Sequence, residues 1–225
     1  MTSAYLLVPG AGGVAAYWRP VVSELERHGH DAVTVDLPGD DDSAGLPAYV
    51  ELIVRAGQDL GDVVVVGQSM GAFSASLAAP HLRTQRIVLV NPMIPAPGET
   101  PGQWWEATGQ PEAKRRNDIR EGRDPDAPFD LATYFLHDTP ADLVDEVMAT
   151  SRPESDAAFG SPWTLPAWPD LPTTVVAAAD DRFFPLEFQR RVSEERLGLE
   201  PTTLPGGHLV ALSHAQELAD LLVRS

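Results

Sequence analysis

Ser69 sits in the run Gly67-Gln68-Ser69-Met70-Gly71, directly behind Asp62-Val63-Val64-Val65-Val66. A serine hydroxyl is a weak nucleophile until a neighbouring base takes its proton. A sharp strand-to-helix turn lifts such a hydroxyl clear of a sheet, and flanking glycines let neighbouring backbone approach without a Cβ clash. In that geometry the amide of the next residue, Met70, faces the oxyanion of a tetrahedral intermediate. The base and its orienting acid are expected downstream, in the order serine, acid, histidine. Asp180 and Asp181 follow the apolar run Thr173 to Ala179, at the C-terminal end of a predicted strand, where open α/β sheets place functional groups. His208 closes the loop Pro205-Gly206-Gly207-His208, between a short predicted strand at 200–204 and a helix expected from about Ser213 to Val223. These residue types in this order suit acyl transfer, with Ser69 as nucleophile and His208 as base.

The elements that must position these groups alternate. The pattern predicts strands at Tyr5 to Val8, Ala32 to Asp36, Val63 to Val66 and Arg86 to Val90, separated by helices at Tyr17 to His28, Pro47 to Leu60 and onward from Met70. Near-continuous Val, Leu and Ile runs split by amphipathic helices imply a parallel sheet covered by helices on both faces. From Asn91 to Leu171 the character changes. Pro92, Pro95, Pro97, Pro101 and Pro111 break the chain, with helical stretches expected at Gln103 to Ala113 and Ala141 to Thr150. An insertion of this length between core strands reads as a cap, residues 91–171, on a single domain spanning 1–225.

Composition excludes several function classes. With 33 acidic against 16 basic residues the net charge is −17, so phosphate backbones and anionic membranes are repelled at long range. The expected partner is a small-molecule substrate, with no nucleic acid and no membrane; a homodimer is left open. Cysteine is absent, which removes disulfides, thiolate metal sites and cysteine nucleophiles. The N-terminal residues lack a basic region followed by an apolar stretch, and the expectation is a soluble, cytoplasmic protein. Asp40-Asp41-Asp42 reads as a solvated turn and not a metal site, because no spaced ligand set accompanies it. Neither a metal nor a cofactor is expected.

One motif supports a rival reading. Gly10-Ala11-Gly12-Gly13-Val14-Ala15 follows a strand and fits G-x-G-x-x-A, and Asp36 ends the next strand, where a ribose-binding carboxylate of an NAD(P)-dependent oxidoreductase would sit. Against it, Pro9 precedes the loop, and the chain's only lysine, Lys114, has Gln110 four residues before it, where short-chain reductases carry tyrosine. The alternative use of the loop is an oxyanion hole, in which the Ala11 amide joins that of Met70.

Together these motifs resemble the α/β-hydrolase superfamily, and within it the small members related to plant hydroxynitrile lyases and methylesterases and their bacterial relatives. The resemblance is carried by Val8-Pro9-Gly10-Ala11 with Tyr17-Trp18, by Asp36-Leu37-Pro38-Gly39, by the serine turn, by Asp181 through Gln189, and by Gly206-Gly207-His208. It implies an α/β-hydrolase fold of about six mostly parallel strands, with the cap following the strand that ends near Val90. It also implies that the acid is Asp181, three residues before Phe184, and not its neighbour Asp180. This chain departs from the family in two places. Pro9 stands where histidine often precedes the first glycine, and Leu209 stands where hydroxynitrile lyases have a lysine beside the histidine. The second departure favours ester-type hydrolysis over cyanohydrin cleavage.

The expected chemistry is hydrolysis of a small to medium, largely apolar ester, lactone or thioester through an acyl-enzyme. A biosynthetic lyase, cyclase or acyltransferase could use the same triad, and a ligand-binding receptor could keep it as a vestige. Trp104, Trp105, Tyr134 and His137 in the cap are the candidate pocket residues, while His28, His30, His81 and His214 read as solvated or capping groups.

Overall fold

The computed structural model describes residues 3–224. Six strands run through it: β1 (Ala4–Val8), β2 (Asp31–Thr34), β3 (Val63–Gln68), β4 (Thr84–Val90), β5 (Thr173–Ala178) and β6 (Thr202–Leu204). They form one sheet in the order β2-β1-β3-β4-β5-β6, and every neighbouring pair is parallel. Parallel pairing demands crossovers. These are supplied chiefly by the helices α1 (Arg19–Arg27), α2 (Leu46–Gly57) and α3 (Gly71–Ala78). Burial of both sheet faces explains the continuous apolar runs. Val63 to Val66 of β3 are all fully buried, and each contributes on the order of 1.5–3 kcal/mol by leaving water.

Alternate side chains of each strand feed two cores. Leu6, Val8, Val63, Val65, Ile87 and Leu89 pack with Ile53 of α2 and Phe73 of α3 on one face. Tyr5, Leu7, Val64, Val66, Val88 and Val90 pack on the other, with Val21 and Leu25 of α1 and with Leu218 and Leu222 near the C-terminus.

Between β4 and β5 the chain makes five short helices: α4 (Pro101–Thr108), α5 (Gln110–Arg120), α6 (Leu131–Tyr134), α7 (Ala141–Thr150) and α8 (Asp156–Phe159). Where one helix is expected from Gln103 to Ala113, the structure has two. Gly109, in the left-handed region at φ 67°, stops α4, and Pro111 opens α5. The start of α4 follows from a capping box, with Thr100 and Gln103 exchanging hydrogen bonds. After β5, α9 (Leu186–Leu197) crosses to β6. The C-terminal helix expected from about Ser213 to Val223 is α11 (Ala215–Arg224), preceded by a separate helical turn, α10 (Val210–Ser213). The helix expected from Tyr17 likewise opens as a 3-10 turn, Ala15–Trp18, before α1. No helix among the described residues is long and apolar enough to cross a membrane.

Candidate active site

Ser69 directly follows β3 with φ 52°, and among the described residues only Asn91, at φ 44°, is another non-glycine residue with positive φ. This conformation costs about 1–3 kcal/mol and persists only where surroundings over-determine it. Here they do. The Ser69 amide donates to Val90 O (3.0 Å), while its carbonyl accepts from Ala72 N (3.1 Å) and Met93 N (3.0 Å). A Cβ on Gly71 would lie 2.3 Å from Pro9 O, and one on Gly67 would lie 2.8 Å from Ala75 Cβ. Both glycines of the turn are therefore steric necessities. A Cβ on Gly10 would sit 3.1 Å from Ser69 Cβ, so the first glycine-rich loop is packed against the serine itself.

Ser69 Oγ lies 3.1 Å from His208 Nε2, and His208 Nδ1 lies 2.8 Å from Asp181 Oδ2. All three are buried, with 7% of Ser69 exposed, 1% of His208 and 2% of Asp181, so their interactions escape most solvent screening. An ionised Asp181 only accepts, which assigns the Nδ1 proton to the donor role and leaves Nε2 free to receive the serine proton. The other oxygen of Asp181 accepts from the amides of Phe183 and Phe184, both at 2.8 Å. Asp180 diverges from it: its Oδ2 accepts from Gly206 N at 3.1 Å and ties the histidine loop to the end of β5.

The His208 loop is held from below by Asn91, the residue after β4. Its Nδ2 donates to Gly207 O (3.2 Å) and His208 O (2.9 Å), and its Oδ1 accepts from Ala178 N (2.7 Å). Gln68 Nε2 adds a bond to His208 O at 3.1 Å. The imidazole is also enclosed by rings. Phe135 stacks on it at 4.6 Å between centroids, and Phe184 meets it edge-on at 4.8 Å. In the sequence Asn91 marks only the start of the insertion; its place directly after a buried strand is the one local signal of this role.

A cavity of about 230 Å³ opens over Ser69 and His208. Gly10, Ala11 and Met70 line it, and the Ala11 and Met70 amides meet no carbonyl partner in the described loops around them. Met70 lies just before α3, so its amide carries the positive end of that helix dipole. The arrangement can stabilise negative charge beside Oγ. The remaining wall is mostly apolar, with Tyr17, Trp105, Phe129, Phe135, Phe159 and Phe183 as its rings, and Ser151 and Arg152 also line it.

Of the four expected pocket residues, only Trp105 lines this cavity. Trp104 is fully buried among Phe184 and Phe188, its indole donating to Ile94 O at 2.9 Å, because successive helical residues point in different directions. Tyr134 is turned inward by its bond to Asp118 Oδ2 (2.8 Å). His137 belongs to a separate cleft of about 570 Å³, together with Asp180, Arg182 and His214. Burial lowers the His137 pKa and so favours its neutral form. The dinucleotide signature also resolves locally: Asp36 accepts from Ala15 N and Arg152 Nη2, both at 3.0 Å.

A serine held at a strained strand-to-helix turn, bonded to histidine and aspartate on later loops of a parallel sheet, defines an α/β-hydrolase architecture. The sequence profile of the alpha/beta hydrolase family matches residues 5–221, and the chain belongs to that family. Among solved structures, polyneuridine aldehyde esterase is similar with a TM-score of 0.79 and 20% identity, over 100% of this chain and 99% of that one. A pyrethroid hydrolase from Sphingobium faniae JZ-2 is similar with a TM-score of 0.74 and 22% identity, over 100% and 97%. The methylesterase MES16 from Arabidopsis has a TM-score of 0.75 and 19% identity, over 99% and 98%. At such identities the likeness is one of fold. No curated protein sequence matches the chain.

Proposed function

We propose that this protein is a serine hydrolase acting on a small to medium, largely apolar ester, lactone or thioester through an acyl-enzyme. The observation that carries the reading is the bonded series Ser69–His208–Asp181 opening into an aromatic cavity. His208 takes the Ser69 proton as Oγ adds to the carbonyl carbon. The amides of Ala11 and Met70 receive the charge that develops on the carbonyl oxygen, each worth about 3 kcal/mol on the scale of other serine hydrolases. His208 then returns the proton to the leaving alcohol or thiol, or to the released end of an opened lactone. In the second half it activates water against the acyl carbonyl, and Asp181 stabilises the imidazolium in both halves.

The wall supports this substrate class. Leu209, buried beside the histidine, offers no charge to a leaving group there, which favours ester chemistry over cyanohydrin cleavage; Arg152 also lines the cavity, but its guanidinium donates to Gly13 O and Asp36 Oδ1. The neighbours named as an aldehyde esterase, a pyrethroid hydrolase and a methylesterase agree with this class. The segment 91–171 acts as the cap that sets acyl preference, and the protein works in the cytoplasm on a small-molecule substrate. Fluorophosphonate treatment followed by peptide mass spectrometry should find the adduct on Ser69. Labelling of another serine, or ester turnover that survives Ser69→Ala, overturns the assignment.

A further inference from the structure

The loop that carries Ala11 is gripped from outside. On one side it rests on the segment after β2: Gly13 O accepts from Leu37 N at 2.9 Å, and a Cβ on Gly39 would lie 2.5 Å from Gly12 C. On the other side lies the extended stretch between α7 and α8. Arg152 Nη2 donates to Gly13 O (3.2 Å), Ser155 N donates to Gly39 O (2.7 Å), and a Cβ on Gly12 would strike Arg152 O at 2.5 Å. At the centre is a carboxylate. Glu154 Oε2 accepts from Gly12 N at 2.5 Å, and Glu154 Oε1 accepts from Tyr49 Oη at 2.5 Å. Tyr49 belongs to α2, and only 2% of it is exposed, so the second oxygen is tied to the body of the fold.

This grip lies one peptide unit from the atom that matters. Pro9 contributes no side-chain donor or acceptor to the loop, and Ala11 itself is exposed in the cavity. The bond from Gly12 N to the Glu154 carboxyl group fixes the Ala11–Gly12 peptide plane, which leaves the Ala11 amide only two dihedral angles from a fixed point. Burial, followed by the bond to Glu154, raises the Tyr49 hydroxyl far above the ordinary phenol range, which keeps it a donor.

We propose that Glu154 is a positioning residue for the oxyanion loop: clasped by Tyr49, its carboxylate holds the Gly12 amide and so aims the Ala11 amide at the carbonyl that Ser69 attacks. The inference rests on the acyl-enzyme reading above. It predicts a defect confined to the charged intermediate, because a loosened donor matters most when the oxygen is negative.

The test uses the full chain with Glu154→Ala, Glu154→Gln, Tyr49→Phe and Ser69→Ala, p-nitrophenyl butyrate as substrate, and an alkyl trifluoromethyl ketone, which forms an oxyanion adduct. Removing a whole oxyanion donor costs about 10²–10³ in kcat, so loosening one through Glu154→Ala should cost about 10- to 100-fold. KM should stay within about threefold, and affinity for the ketone should fall by the same factor as kcat. Glu154→Gln keeps an acceptor for Gly12 and should retain at least about a third of the wild-type kcat, while Tyr49→Phe should lose about 3- to 10-fold. Amide exchange in peptides covering residues 10–13 should rise about tenfold in Glu154→Ala and stay unchanged in Glu154→Gln. If wild-type turnover depends on Ser69 but Glu154→Ala keeps its kcat, the clasp is overturned and the nucleophile stands. If turnover is absent or independent of Ser69, the acyl-enzyme reading falls, and the exchange measurement alone decides whether the loop is clasped. Equal losses in Glu154→Gln and Glu154→Ala at unchanged Tm would also overturn the clasp, as would unchanged exchange in Glu154→Ala.

Discussion

Beneath Ser69, three groups that hold the histidine are anchored to the sheet: Asn91 follows β4, Asp181 follows β5, and Gln68 ends β3. Above it, the wall comes from residues on short helices and connecting turns, and Phe129 is 54% exposed. The lower region is a hydrogen-bonded network. The upper region is ring-on-ring contact, with Phe129, Phe135 and Phe183 meeting edge to face at 5.0–5.6 Å. A bonded network fixes angles; apolar contact fixes only volume. Chemistry that depends on direction should therefore be sensitive to single atoms below the serine, and specificity above it should vary by degrees.

The sharpest way to break this contrast is at the paired carboxylates. Asp181→Asn leaves the imidazole in the wrong tautomer and should lower kcat by up to about 10⁴-fold with little change in Tm. Asp180→Asn keeps an oxygen for the Gly206 amide and should cost less than about tenfold. Measured kcat for both, beside their thermal midpoints, decides which carboxylate orients His208. A large loss confined to Asp180→Asn would reverse their roles.

A smaller effect is expected one layer below. Asn91→Ala removes the donors to Gly207 O and His208 O and the acceptor for Ala178 N while keeping a strained φ of 44°. Displacing the histidine loop by about 1 Å should cost on the order of 10²-fold in kcat. The buried partners left behind should also lower Tm, at about 1–3 kcal/mol for each unsatisfied group. Unchanged kcat and Tm would show that the loop needs no anchor.

Trp104 and Trp105 carry the contrast onto adjacent positions of one helix. Trp105→Ala enlarges the pocket and should change the ratio of kcat/KM between short and long acyl esters by about 10- to 200-fold, a graded shift of about 1–3 kcal/mol. Trp104→Ala removes a core side chain and should instead destabilise the fold by about 3–5 kcal/mol, leaving the acyl-length ratio in place. An ester series with calorimetry on both variants separates the roles, and exchanged outcomes would show that the pocket wall has been misassigned.

This pair also shows what the chain discloses about itself. The serine turn was legible because a local steric rule forces glycine at 67 and 71, and the histidine loop because a glycine pair separates a strand from a helix. The parallel sheet followed from continuous apolar runs. The lining of the pocket was opaque: Trp104 and Trp105 are identical residues one step apart, and only packing against Phe184 and Phe188 sends one of them inward. Tyr134 is turned inward by Asp118 on another helix, and His137 lies against Gly207, distant in the chain; no local pattern records those contacts. Glu154 was equally invisible, since its meaning depends on Gly12 and Tyr49, more than 100 residues earlier.

The smallest effect on turnover is expected at Asp118, and it tests whether the upper region has any fixed point of its own. Asp118 is fully buried, with Oδ2 bound to Lys114 Nζ at 2.9 Å and to the Tyr134 hydroxyl at 2.8 Å, and Oδ1 bound to Arg123 Nε at 2.8 Å. Burial alone would raise its pKa. The bonds from Arg123, Lys114 and Tyr134 outweigh that and hold it below the ordinary carboxylate range. A depressed pKa in the folded state means that the ionised form is favoured by folding. Its contribution is therefore complete above the unfolded value of about 3.9 and is lost as pH falls through the folded value. Asp118→Asn removes that pH-linked contribution and strands two cations, so stability near neutral pH should fall by about 3–5 kcal/mol. As pH falls from about 4 through the lower folded-state value, the variant's Tm should converge on that of the wild type. Because the cluster lies behind Tyr134 and not in the cavity, kcat at temperatures well below Tm should change by less than about threefold. A loss of Tm that stays constant from pH 3 to pH 8 would sink the electrostatic account. A large kcat loss at full stability would show instead that the aromatic wall transmits its position to the serine below.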